Sequence, residues 1–260
     1  MRTANPTSPE RWLRLCNTPV QQPRLRLVCL PHAGGTAHEF RSWGARLSSD
    51  VAVYAVQYPG RQDRFVEPLV DDMGTMVERI VEVLEPWIGE PLMLFGHSMG
   101  AYIAYEVAAE LERRHGQVID LLAVSGAAPP HRKRRGRIHE LSDTELIADL
   151  KRVNASLADL LAQPELVKVL LPMIRADYRL SERYERHDPL PVKAPLVALS
   201  GNADPEVDRS GLEAWSAFAN SRFDVIVLQG GHFYLFDGEA DVTAALAAHL
   251  PGAPHWSNGR

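Results

Sequence analysis

The sequence predicts an α/β fold built on a mostly parallel, doubly wound sheet. Three observations predict it: short continuous apolar runs, amphipathic helical stretches between them, and one long helical interruption of that alternation. The apolar runs cover residues 25–30, 51–58, 92–95, 121–124, 196–199 and 225–228. They are rich in valine and leucine and do not alternate with polar residues, the pattern of strands covered on both faces. Between them, Met73, Met76, Val77, Ile80, Val81 and Leu84 recur at helical spacing before Pro86, and Ala101, Ala104, Tyr105, Ala108 and Leu111 do the same after Ser98. Strands that alternate with helices pair in parallel through right-handed crossovers.

The interruption runs from Gly126 to Pro195, where no strand is legible. Leu141-Ser142-Asp143-Thr144-Glu145 carries a serine cap with a glutamate three residues on, a capping box ahead of Leu146, Ile147 and Leu150. Pro164 is suited to the first turn of a further helix through Leu166, Val167, Leu170 and Leu171, which Pro172 is expected to kink or divide. The reading is a single domain over 1–260 with a helical lid inserted at 127–194, expected between the sixth and seventh strands of the completed sheet and over its catalytic edge.

With 260 residues, 45% of them hydrophobic, the chain can bury one large core. Its net charge of -5 removes any general electrostatic reason to bind nucleic acid or an anionic membrane. The first residues are polar and proline-bearing, without the apolar core of a secretory signal, and no stretch is apolar for long enough to span a bilayer. Of the two cysteines, Cys29 falls inside a strand-like run, where a small buried hydrophobe is expected. These features predict a cytoplasmic, disulfide-free monomer with a frayed tail over 251–260.

Gly96-His97-Ser98-Met99-Gly100 stands between the run 92–95 and a helical stretch, the position of a nucleophile elbow. Such a turn projects a serine hydroxyl above the carboxyl edge of the sheet and aims the following backbone N–H, here that of Met99, at a developing oxyanion. A serine hydroxyl needs a neutral imidazole to take its proton, and that imidazole needs a carboxylate to fix its tautomer. Further along, the run 196–199 ends near Asp204 and the run 225–228 ends in Gly230-Gly231-His232, giving the order serine, acid, histidine. Ser98, Asp204 and His232 are therefore the candidate catalytic residues, with Asp208 and Asp177 as weaker candidates for the acid. The second oxyanion donor is assigned to the Ala33 N–H, in the loop Pro31-His32-Ala33-Gly34-Gly35 that follows the first run. His32 is expected to make a structural hydrogen bond. Nothing in this chemistry calls for a metal or an organic cofactor.

Beyond the elbow, the sequence resembles the stand-alone type II thioesterases that serve polyketide synthases and nonribosomal peptide synthetases. The resemblance covers nearly the whole chain and rests on Leu30-Pro31-His32-Ala33-Gly34-Gly35, Tyr58-Pro59-Gly60-Arg61-Gln62-Asp63-Arg64, Gly96-His97-Ser98-Met99-Gly100-Ala101, Pro172-Met173-Ile174-Arg175-Ala176-Asp177-Tyr178 and Gly231-His232-Phe233-Tyr234-Leu235. It implies an α/β-hydrolase fold with a helical lid, hydrolysis of acyl chains from the phosphopantetheine thiol of acyl or peptidyl carrier proteins, and Ser98, Asp204 and His232 as the triad. It departs at Asn154-Ala155-Ser156, where many relatives carry a glycine-rich turn. Arg61 and Arg64 belong to one of the shared motifs, with ion pairs that support the fold as ready an explanation as substrate contact. Leu157, Leu160, Leu161, Met173 and Ile174 are candidates for an apolar acyl pocket, or else for contacts among the lid helices.

The run His131-Arg132-Lys133-Arg134-Arg135-Gly136-Arg137 is the sharpest charge feature, and it suits either docking of an acidic carrier protein or a solvated loop. It lacks the interleaved aromatics of a nucleic-acid site. Two other functions stay open on the elbow and triad alone: a carboxylesterase or lipase acting on free esters, and a noncatalytic protein that binds acyl carriers.

Overall fold

Seven strands form one sheet in the computed structural model, which describes residues 9–18, 20–133, 136–153 and 160–250. They are β1 (Leu13–Leu15), β2 (Leu25–Leu30), β3 (Val51–Val56), β4 (Leu92–His97), β5 (Leu121–Ser125), β6 (Leu196–Gly201) and β7 (Phe223–Leu228). Nine α-helices are described: α1 (Pro9–Trp12), α2 (Trp43–Arg46), α3 (Met73–Leu84), α4 (Met99–His115), α5 (Asp143–Val153), α6 (Pro164–Arg183), α7 (Arg209–Glu213), α8 (Tyr234–Asp237) and α9 (Glu239–Ala248). The strand order is β1-β3-β2-β4-β5-β6-β7, parallel except for β1, which pairs antiparallel with β3 from Leu13↔Val56 to Leu15↔Tyr54. From β2 the chain moves outward to β3 and then returns to the other side of β2 as β4. The carboxyl ends of β2 and β4 thus flank the point where the strand order reverses, the usual place for a ligand crevice in an open α/β sheet.

The two faces of the sheet carry separate cores. Along β2, Val28 and Leu30 face one side with α3 and α4, while Leu27 and Cys29 face the other with α2 and α9. Helix α3 starts where the Asp72 carboxylate caps the Thr75 N–H at 2.8 Å and buries Met76, Val77, Ile80, Val81, Val83 and Leu84. Each such side chain contributes about 1.5–3 kcal/mol by leaving water. Central helix α4 is buried on nearly every side from Met99 to Ala109 and ends at Gly116, whose φ of 82° suits a helix stop.

All six predicted runs are strands. The run 51–58 stops being strand at Val56, after which the Gln57 side chain turns to accept the Ala37 N–H at 3.2 Å. Strand β1 was not anticipated, because three residues at an edge leave no readable pattern. Between β5 and β6 the described residues hold helices and one isolated bridge, Val192 to Ala219. The insertion therefore lies between the fifth and sixth strands, not the sixth and seventh, since β1 alone precedes β2 among the described residues. Ser142 and Glu145 make the expected reciprocal capping contacts, the Ser142 N–H donating to the carboxylate at 2.9 Å and the Glu145 N–H to the hydroxyl at 3.4 Å. Helix α6 runs unbroken through Pro172. Leu146 and Leu150 of α5 meet Leu161, Leu171, Met173 and Ile174 in a small third core, whereas Leu180 near the far end of α6 belongs to the main one. No helix among the described residues is long and apolar enough to cross a membrane.

Candidate active site

Strand β4 ends at His97 and α4 begins at Met99, which leaves Ser98 alone to turn the chain. It does so with φ 55° and ψ -117°, a region that residues with a side chain seldom adopt. Only glycine fits on either side: a Cβ on Gly96 would overlap the Gly100 carbonyl, and one on Gly100 would overlap the Leu30 carbonyl. The Ser98 N–H donates to the Ser125 carbonyl at 2.7 Å and ties the turn to β5. The Met99 N–H heads α4, where first-turn amides have no acceptor within the helix and the helix dipole is positive.

The loops after β6 and β7 bring Asp204 and His232 together. Imidazole Nδ1 lies 3.1 and 3.0 Å from the two Asp204 carboxylate oxygens, and both side chains are buried. Asp204 also accepts from the Ser200 hydroxyl at 2.7 Å and the Glu206 N–H at 2.8 Å. Burial pushes this carboxyl up, but the hydrogen bond and charge of His232, joined by Ser200 and the Glu206 amide, outweigh burial and hold it below its usual value. A carboxylate facing Nδ1 favours the tautomer whose Nε2 is free to accept a proton. Ser98, Asp204 and His232 line one cavity of about 530 Å³ with Tyr102, Lys133 and Tyr178.

The weaker acid candidates have other partners. The Asp208 carboxylate caps α7, accepting from the Gly211 N–H at 2.8 Å. Asp177, fully buried on α6, forms a two-pronged ion pair with Arg61, both contacts at 2.8 Å, and accepts the Gly34 N–H at 2.7 Å. Arg64 is likewise a support: it donates to Glu67 at 2.9 and 2.7 Å and to the Gln57 carbonyl at 2.7 Å, and stacks 4.3 Å from the Trp12 ring centre. Both arginines thus serve the fold.

Pro31, two residues before Ala33, lies against the first turn of α4, as the close approach of Gly100 to the Leu30 and Pro31 carbonyls requires, and Ala33 packs against the larger core. The loop is pinned by Tyr58 Oη to the Pro31 carbonyl at 3.1 Å and by the Gly35 N–H to the His32 carbonyl at 2.9 Å. The structural hydrogen bond expected of His32 is not made among the described residues. Its ring instead stands edge-on to Phe233 with centroids 4.8 Å apart, and burial pushes its pKa down to about 3, so it stays neutral.

Leu161, Met173 and Ile174 close the small third core with one another and with α5, Ile174 also overlying Gly34, and none of the three lines the cavity. Leu157, the Leu160 side chain, Asn154-Ala155-Ser156, Arg134, Arg135 and the tail over 251–260 lie outside the described residues. Lys133, read as part of a charged surface run, donates its ammonium to the Ser181 and Tyr184 carbonyls at the end of α6.

Sequence reasoning also missed a buried polar chain beside the triad residues. His97 Nδ1 lies 2.9 Å from the Ser125 hydroxyl, which lies 2.8 Å from Tyr234 Oη. The His97 and His232 ring centres are 4.9 Å apart, and burial, helped by the positive charge His232 can carry, keeps His97 well below its usual pKa. The only signals were position: His97 directly before Ser98, and Tyr234 two residues after His232.

Comparison with known proteins gives a consistent result. A family model described as a thioesterase domain matches residues 25–251. The chain is 36% identical over 247 residues to thioesterase PikA5 of Streptomyces venezuelae, covering 94% of this chain and 88% of that one. The structure of the type II thioesterase BorB from the borrelidin biosynthetic cluster superposes with a TM-score of 0.85 at 37% identity, covering 92% of this chain and 98% of that chain. RedJ, a thioesterase from the prodiginine biosynthetic pathway in Streptomyces coelicolor, does so with a TM-score of 0.83 at 38% identity, covering 90% and 88%. With the elbow geometry and these matches together, the chain belongs to the thioesterase family of α/β-hydrolase-fold enzymes.

Proposed function

We propose that the protein is a stand-alone thioesterase that hydrolyses acyl groups from the phosphopantetheine arm of acyl or peptidyl carrier proteins, clearing stalled or misprimed polyketide or nonribosomal peptide synthases. The observation that carries the chemistry is the buried Asp204–His232 pair sharing one cavity with the strained Ser98. The substrate class is supported by structural relatives whose names place them in biosynthetic systems: BorB in the borrelidin biosynthetic cluster and YbtT in the yersiniabactin NRPS/PKS biosynthetic pathway.

In this reading His232 takes the Ser98 proton as the hydroxyl attacks the thioester carbonyl, and Asp204 holds the imidazole and stabilises the imidazolium. The Met99 and Ala33 N–H groups stabilise the oxyanion, each worth on the order of 3 kcal/mol. The imidazolium gives the proton taken from Ser98 to the leaving sulfur, which departs as the thiol. Neutral His232 then deprotonates the water that attacks the acyl-serine, and returns the proton to the Ser98 oxygen as the acid is released. Residues 127–194 act as the lid, and the exposed Arg132 at the cavity supplies positive charge toward an acidic carrier.

The test presents one acyl group on a carrier protein, on a short pantetheine thiol and as an oxygen ester, to wild type and Ser98→Ala. The reading requires a Ser98-dependent preference for the carrier-bound thioester. A preference for the oxygen ester would make the protein an esterase, and undiminished turnover by Ser98→Ala would overturn the mechanism.

A further inference from the structure

Asp177, a carboxylate of α6, reaches across to the loop that follows β2. One of its oxygens accepts the Gly34 N–H at 2.7 Å and an Arg61 N–H at 2.8 Å, while the other accepts the second arm of Arg61 at 2.8 Å. Arg61 in turn donates to the Gly35 carbonyl at 3.0 Å, so the same ion pair grips the loop at two successive residues. Asp177 is fully buried and Arg61 nearly so. Gly34 has a φ of 79°, and a Cβ there would stand 3.0 Å from Ile174, which shows how closely α6 overlies the loop. A backbone in that conformation, with two glycines in a row, has little stiffness of its own and takes its orientation from what binds it.

Resting on the assignment of Ala33 as an oxyanion donor, we propose that Asp177 is a positioning residue: from α6 it fixes the Ala33–Gly34 peptide and so the direction of the Ala33 N–H. The peptide that bears the Ala33 N–H is held on its carbonyl side by the Gly35 N–H, and the next peptide by Asp177. With both planes set, the Ala33 amide is preorganised before substrate arrives, which is the condition for electrostatic stabilisation of a transition state. Helix α6 is then a fixed part of the active site, and a swing of α6 as a whole would dismantle the oxyanion loop.

The experiment compares Asp177→Ala, which removes every acceptor, with Asp177→Asn, which retains one oxygen for the Gly34 N–H. Three quantities are measured per folded molecule: kcat and KM on a thioester, affinity for a trifluoromethyl ketone that forms a tetrahedral adduct with Ser98, and substrate affinity in a Ser98→Ala background. Asp177→Ala is expected to lower kcat and adduct affinity together by at least about tenfold, toward the 10²–10³-fold that loss of one donor costs. KM and affinity in the Ser98→Ala background should change little, and Asp177→Asn should recover most of the loss. Unchanged kcat and adduct affinity in the folded Ala variant, or equal losses in both variants, would overturn the proposal. If Asp177→Ala does not fold, Asp177→Asn with normal stability and a full loss of adduct affinity would do the same. The adduct needs no particular leaving group, so a wild type that prefers oxygen esters would overturn the functional reading while this comparison still decides the role of Asp177.

Discussion

Replacing Ser98 by glycine should remove activity and make the protein more stable. The serine turns the chain at φ 55° and ψ -117°, outside the left-handed helical basin as well as the right-handed one. Holding a residue with a Cβ in such a region costs about 1–3 kcal/mol. Glycine relieves that cost but brings about 0.5–1 kcal/mol of extra chain entropy in the unfolded state. The balance is about 0–2.5 kcal/mol in favour of Ser98→Gly over Ser98→Ala, since the alanine variant keeps the strain and loses only a hydroxyl. The two variants are to be compared by urea unfolding followed by circular dichroism, with a higher midpoint and an unchanged slope expected for glycine. In a domain of this size the gain corresponds to a few degrees in Tm. If glycine proves less stable than alanine by about 1 kcal/mol, its ordinary penalty elsewhere, the elbow stores no strain and the argument fails.

Asp204→Asn should lower the rate of acylation by the order of 10⁴-fold through the wrong imidazole tautomer, read by pre-steady-state release of thiol. Because the folded pKa of Asp204 is depressed, its stabilising contribution is fully present above the usual 3.8 and is lost as pH falls through the lower folded value. The stability gap between wild type and Asp204→Asn, measured by urea titration, should accordingly be larger at pH 7 than near pH 3. Arg132→Glu should raise KM for a carrier-bound thioester and leave a pantetheine thioester unchanged, which steady-state kinetics on both will check. Lys133→Met, by contrast, removes donors to the Ser181 and Tyr184 carbonyls and should cost about 1–3 kcal/mol of stability in urea, without discriminating between those two substrates.

Parallel strands buried on both faces were legible because an unbroken apolar run suits that environment, as 92–95 and 196–199 illustrate. The pairing of Asp204 with His232 was legible because each follows such a run at the carboxyl edge, in the order serine, acid, histidine that goes with this kind of elbow. Helix periodicity identified α6 but not its contacts: Met173 and Ile174 read equally as pocket or core, and their neighbours across the lid core decided it. Lys133 looked like one cation in a run of charge, since composition does not distinguish a lysine facing carbonyls from one facing water. Asp177 was weighed for the wrong task, as a partner for His232, because a carboxylate on a helix gives no sign of the distant Arg61 and Gly34 that claim it.

The two long helices of the insertion, α5 and α6, are attached very unequally. Helix α6 is bolted to the body at Asp177 and Leu180, while α5 gains its apolar burial from Leu146 and Leu150 in the small separate core. Weakly anchored segments open at lower free energy than the structure as a whole. Warming should therefore release α5 while Ser98, His232 and the loop after β2 remain in register, so that amide protection is lost along α5 before the catalytic residues come apart.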